Sequence, residues 1–131
     1  MDLRARLSAE LERRQKANPR YSLRAFARNL GTHHTTLLRL LRQGRRLTPA
    51  MTRRLGQRLG LTHAQIAGAI AHEQDAAVLS LLPHSSFRSD SRWLAMMTGL
   101  PLDEVNITLQ RLLSGRRLTM HTALTWTREG T

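Results

Sequence analysis

Apolar residues recur at helical spacing along most of the chain. Leu3, Leu7 and Leu11 stand four apart, which predicts a helix over residues 3–17 with one apolar stripe. Asn18-Pro19 should close it, because the residue before a proline is pushed out of the helical region. Ser22 can cap a second helix that runs through Phe26, Ala27 and Leu30 to Gly31. Leu37, Leu40 and Leu41 mark a third. Thr48-Pro49 pairs an N-cap with a proline at the first helical position and opens a fourth through Met51, Leu55 and Leu59, ended by Gly60. Thr62 and Gln65 have the spacing of a capping box and start a long helix through Ile66, Ile70, Val78 and Leu81, stopped by Pro83.

Residues 83–88 form the best candidate linker. Beyond it, Asp90 caps a short helix through Trp93, Leu94 and Met97 that ends at Gly99. Pro101 begins another, with Val105, Leu109 and Leu112 facing inward and an end near Gly115. The stretch 118–127 has no helical period and is rich in Thr with Leu and Trp, so it suits two short strands around His121 to Ala123. The chain also echoes itself. Residues 40–48 (LLRQGRRLT) resemble residues 112–119 (LLSGRRLT), and each follows a helix, a glycine and a second helix. Two related units in tandem, or chance reuse of a basic helix end, would both produce this.

Composition narrows the class. A 131-residue chain with 40% hydrophobic residues can bury one ordinary core or two small ones. No apolar run approaches the roughly 20 residues of a membrane helix, and no signal peptide opens the chain. Cysteine is absent, which removes disulfides, thiolate zinc sites and thiol catalysis and fits a reducing cytoplasm. Charge is divided unevenly. Residues 1–60 hold 14 Arg and Lys16 against Asp2, Glu10 and Glu12, whereas residues 61–131 hold six Arg against six acids. The whole excess of +12 therefore lies in the first half, as expected of a chain with one nucleic-acid-binding half.

A helix-turn-helix lays the N-terminal part of its second helix in the major groove, braced by the first. It needs a small residue where the helices cross, a glycine at the turn, and polar residues at the exposed start of the second helix. Ala27, Gly31, Leu37 and Leu40 fill the structural places, with His33, His34, Thr35 and Thr36 at the exposed start and Arg39 one turn on. At these residues the segment resembles the helix-turn-helix of Cro and the phage repressors, over residues 1 to about 70 as a five-helix unit. Residues 18–28 (NPRYSLRAFAR), with Gly31 and residues 45–48 (RRLT), look more narrowly like the opening of one family of bacterial transcriptional regulators. Residues 87–95 and 105–113 are similar to that family's C-terminal domain. Family members are longer, so the resemblance implies that an effector or dimerisation segment is missing here. Leu38 and Gln43 stand where the family pattern has a polar residue and a glycine.

The resemblance assigns base reading to His34, Thr35, Thr36 and Arg39. Arginine can bond guanine in a bidentate manner, and a threonine methyl can meet thymine. His33 would cap the helix or touch phosphate, and Ser22, Arg24, Arg42, Arg45 and Arg46 would hold phosphates. In the second half, Asn106, Gln110 and Arg111 could read bases and Arg116, Arg117 and His121 could form a wing. Asp103 and Glu104 oppose that, so a protein-facing or dimerising role stands beside it, with Ile107, Leu38 and Leu41 as interface candidates.

Catalytic and metal signals are lacking. His72-Glu73 is not part of a His-Glu-x-x-His motif, because position 76 is alanine. His33 and His34 would point about 100° apart on a helix, and acids at a helix start serve the macrodipole. No enzyme activity, metal or cofactor is expected. The expected fold is mainly α: a five-helix Cro/repressor-like domain (1–61), a connecting helix (62–82) and a small winged helix-turn-helix with a short β-hairpin (83–131). The expected function is sequence-specific binding of double-stranded DNA to control transcription, in the cytoplasm at the nucleoid. It would act as a homodimer on a near-palindromic site with recognition helices about 34 Å apart. The alternatives are a nonspecific RNA or nucleoid protein, disfavoured for single strands by the shortage of aromatics, and an adaptor whose residues 83–131 bind a protein.

Overall fold

A computed structural model describes residues 2–84, 86–120 and 126–128. Among these the chain is mainly helical, with seven helices and a two-stranded antiparallel sheet. The helices are α1 (Leu3–Ala17), α2 (Leu23–Leu30), α3 (His34–Arg42), α4 (Pro49–Arg58), α5 (His63–Leu79), α6 (Ser91–Thr98) and α7 (Leu102–Ser114). Strands β1 (Leu118–Met120) and β2 (Trp126–Arg128) pair with Leu118 opposite Arg128 and Met120 opposite Trp126. His121 and Ala123, expected at the hairpin, lie outside the described residues. The chain divides into two compact units, Met1–Glu73 and Gln74–Thr131.

The helix ends are fixed by their caps. Asp2, Ser22, Thr48 and Asp90 each accept a first-turn N–H through the side chain, leaving fewer orphan donors at α1, α2, α4 and α6. Thr62 and Gln65 exchange two bonds, Thr62 N–H to Gln65 Oε1 at 2.9 Å and Gln65 N–H to Thr62 Oγ1 at 3.1 Å. Gly31, at φ 72°, turns the chain out of α2 while Thr32 N–H reaches back to the Ala27 carbonyl. Helix α5 stops at Leu79, short of the expected Leu81. Pro83 lacks a donor and its ring would collide with the Leu79 carbonyl, so residues 80–83 leave the helix as tighter turns.

In the first unit Leu3, Leu7, Phe26, Leu30, Leu37, Leu40 and Leu55 are almost wholly buried in one core, closed by Leu47, Leu61, Ile66 and Ala69. In the second, Val78, Leu79, Trp93, Leu94, Val105, Leu109, Leu112 and Leu118 form another. Phe87 packs edge-on against both Trp93 and Trp126, each with ring centroids 5.7 Å apart. The helix expected as a separate connector is thus shared out: Ile66 and Ala69 belong to the first core, Val78 and Leu79 to the second.

Gly56 is buried where α4 meets α5, and a Cβ there would stand 2.7 Å from Ile66 Cγ1. Gly56→Ala gains about 1 kcal/mol of helix propensity but forces an overpacking that costs about 1–3 kcal/mol. Ile66 is itself buried and cannot swing away, so the cost wins. Urea unfolding should show a net loss on the order of 1 kcal/mol, recovered in part by adding Ile66→Val.

Candidate nucleic-acid interface

Leu37 and Leu40 turn one face of α3 into the first core, which sets its other face outward. On that outer side Thr35 and Arg39 are exposed, and His34 and Thr36 are half-buried at the start of the helix. His33, exposed at the N-cap, makes no side-chain capping hydrogen bond to the first turn of α3. Leu38 and Leu41 are half-buried and line a cleft of about 260 Å³ with Ser8, Leu11, Glu12, Gln15, Leu23 and Arg42.

Beside the start of α3 lies an open concavity of about 320 Å³, lined by Arg24, Ala27, Arg28, Thr32, His33 and His34. Arg24 and Arg28 are four apart on α2 and share one face. No acid lines this concavity. Arg28 was absent from the residues expected of the site, although its spacing from Arg24 in an exposed position could have marked it. Ser22 Oγ accepts from Ala25 N–H, which leaves the hydroxyl proton for another partner.

Arg42 is exposed at the end of α3, and Arg45 and Arg46 are exposed on the loop to α4. That loop is clamped. Arg45 N–H donates to the Arg39 carbonyl at 3.1 Å, and the Arg45 carbonyl accepts from the Arg4 guanidinium at 2.6 Å. Arg4 also grips both oxygens of Glu73, at 2.7 and 2.9 Å, while Glu73 Oε1 accepts from Leu47 N–H at 3.1 Å. Burial pushes the Glu73 carboxyl up, but its bonds from Arg4 and Leu47, with the charges of Arg4 and Arg46, hold it below the usual carboxylate range.

The acids of the first unit are largely spent inside it. Its fifteen cations face Asp2, Glu10, Glu12 and Glu73. Glu73 holds Arg4, Asp2 caps α1, and Glu10 bonds Arg13 at 2.6 Å and Arg14 at 3.0 Å. Arg24, Arg28, Arg39 and Arg42 are exposed, and none of them forms an ion pair with an acid among the described residues. The bonds from Arg13 and then Arg14 bring the Glu10 carboxyl down to about 2. Its contribution to stability is therefore complete above the ordinary carboxylate range and is lost as pH falls through about 2. A carboxyl titration by NMR should place Glu10 there, and Arg13→Gln with Arg14→Gln should move it up.

The second unit arranges its charges differently. Asn106 and Gln110 are exposed on α7, as a contact role requires. Arg111 and Arg117 both bond Asp75. Asp75, only 6% exposed, accepts from Arg111 Nε at 2.9 Å and from a terminal nitrogen of the same guanidinium at 2.6 Å, and from Arg117 at 3.1 Å. A buried carboxylate needs such partners, so Asp75, Arg111 and Arg117 form one internal network. Arg116 is exposed, with φ 56°, and His121 lies outside the described residues. Among the described residues no cluster of His, Asp or Glu is placed to hold a metal ion, and no helix is long and apolar enough to cross a membrane.

Comparison with family models, curated proteins and solved structures returned no match. The functional reading therefore rests on the chemistry of the chain's own surface.

Proposed function

We propose that the protein is a sequence-specific, double-stranded DNA-binding regulator of transcription, in which α2 and α3 act as a helix-turn-helix and α3 enters the major groove. The observation that carries this is the concavity at the start of α3, lined by Arg24, Arg28, His33 and His34 with no acid among its lining residues. Such a surface suits the phosphate backbone. Arg39, Thr35, Thr36 and His34 would then meet base edges, while Arg24, Arg28, Arg42, Arg45 and Arg46 hold phosphates on both sides. Two copies on a near-palindromic site would double the short stretch that one nine-residue helix can read.

The order α6, α7, β1, β2 suits a small winged helix-turn-helix in the second unit. Its arginines at 111 and 117 serve Asp75, which favours a role for this unit away from DNA. An adaptor reading of residues 74–131 is favoured by their exposed apolar side chains.

Titration against random duplexes, and against duplexes selected from a random pool, tests the proposal. A selected site bound at least a hundredfold more tightly is the expected result. Equal affinity with a steep salt slope would reduce the protein to a nonspecific coat, and preference for duplex RNA or single strands would replace the DNA reading.

A further inference from the structure

The exposed large apolar side chains among the described residues are Met96, Met97, Leu102, Ile107, Leu113 and Met120. All six lie in the second unit, and the described residues of the first expose none of this kind. Water contact with such groups is unfavourable, and their concentration in one small, nearly neutral unit points to an interaction surface there. Six Arg face five acids in residues 74–131, and two of those Arg, Arg111 and Arg117, are already paired with Asp75. DNA is a poor partner for this surface.

The pattern on α7 identifies a better one. Asp103, Ile107, Gln110 and Ser114 follow at three- and four-residue spacing, and all are exposed on the side of the helix away from Val105, Leu109 and Leu112. Leu113 flanks this stripe and leads into an open groove of about 450 Å³ lined by Leu113, Arg116, Leu118, Thr119 and Met120. The charges at the two ends are opposite: Asp103 in the first turn, Arg116 just beyond the last. Among the described residues neither side chain makes an ion pair. The stripe is therefore complementary to itself when reversed. Laid antiparallel against a second α7, Asp103 meets the partner copy's basic end, Ile107 meets its Leu113 groove, and the two Gln110 amides face each other across the two-fold axis. An amide both donates and accepts, so it can bond to its own copy. Antiparallel helices also oppose their macrodipoles favourably.

We propose that the outer face of α7, from Asp103 to Arg116, is an isologous dimer interface whose occupant is a second copy of this chain. The need for two copies rests on the proposed DNA-binding function; the surface itself does not. The full chain, which has no cysteine of its own, offers a direct test. Sedimentation should give a dimer at the concentrations used for DNA binding. Asp103→Arg should weaken it at least tenfold, and adding Arg116→Asp should restore it. Ile107→Asp should give a monomer with unchanged helical circular dichroism. A short bismaleimide should join Gln110→Cys chains much faster than Ala50→Cys chains, whose thiol lies on the first unit. A monomeric wild type, failure of the charge swap to rescue, or equal cross-linking of the two thiols would overturn the interface. A dimer of this form that binds no duplex removes the DNA-binding proposal and leaves the interface standing. A monomer that still selects a duplex does the reverse.

Discussion

Arg39→Ala is expected to cost about 1–3 kcal/mol of discrimination between a selected and a random duplex, on the order of ten- to a hundredfold, because the bidentate contact to a base edge proposed for it would be lost. Arg39 is exposed on the outward side of α3, one turn past the polar residues at its start. Affinity for random duplexes should change much less. Arg45→Ala should behave in the opposite way, weakening selected and random duplexes alike and lowering the salt slope by about one. The measurement is a pair of titrations for each variant at several salt concentrations. If Arg45→Ala altered preference and Arg39→Ala did not, the roles assigned to the helix and the loop would be exchanged.

The second large effect is on stability. Glu73→Ala removes the partner of a half-buried guanidinium and the acceptor of Leu47 N–H in one step. Breaking a fully buried pair costs about 3–5 kcal/mol. Partial exposure of both side chains lowers the expectation to about 2–3 kcal/mol in urea unfolding. Replacing both partners with leucine should recover much of the loss, since no charge is then stranded. The pH dependence has a definite sign. The Glu73 carboxyl lies below its ordinary range in the folded chain, so the clamp contributes fully above that range and weakens as pH falls through the lowered value. Arg39→Ala should leave this acid limb unchanged, which separates the two predictions.

Local features of the fold were legible in the sequence. The expected helix over residues 3–17 is α1, and the caps at Ser22, Thr48 and Asp90, with the Thr62–Gln65 box, sit where short-range rules put them. The echo between residues 40–48 and 112–119 also carries meaning for packing, since Leu47 and Leu118 are both buried. The two copies then diverge: Thr48 caps α4, whereas Leu118 opens β1. The candidate site was legible as positions along α3 and less so as chemistry, because pairing across long separations leaves no periodic trace. Arg111 and Arg117 look like free cations in the sequence, yet their partner is 36 and 42 residues away. One clue was available. Asp75 precedes Val78 and Leu79 at three- and four-residue spacing, and an acid on the apolar side of a helix obliges a cation to meet it.

The Arg4 clamp bears on how the protein is made. Arg4 emerges during synthesis 69 residues ahead of Glu73, and Leu47 precedes that carboxylate by 26. The basic loop after α3 therefore lacks its anchor until the ribosome has added Glu73, although all fifteen of the first unit's cations have by then been translated. Glu73, the last residue of the first unit, thus supplies the bonds that close the clamp on Arg4 and Leu47.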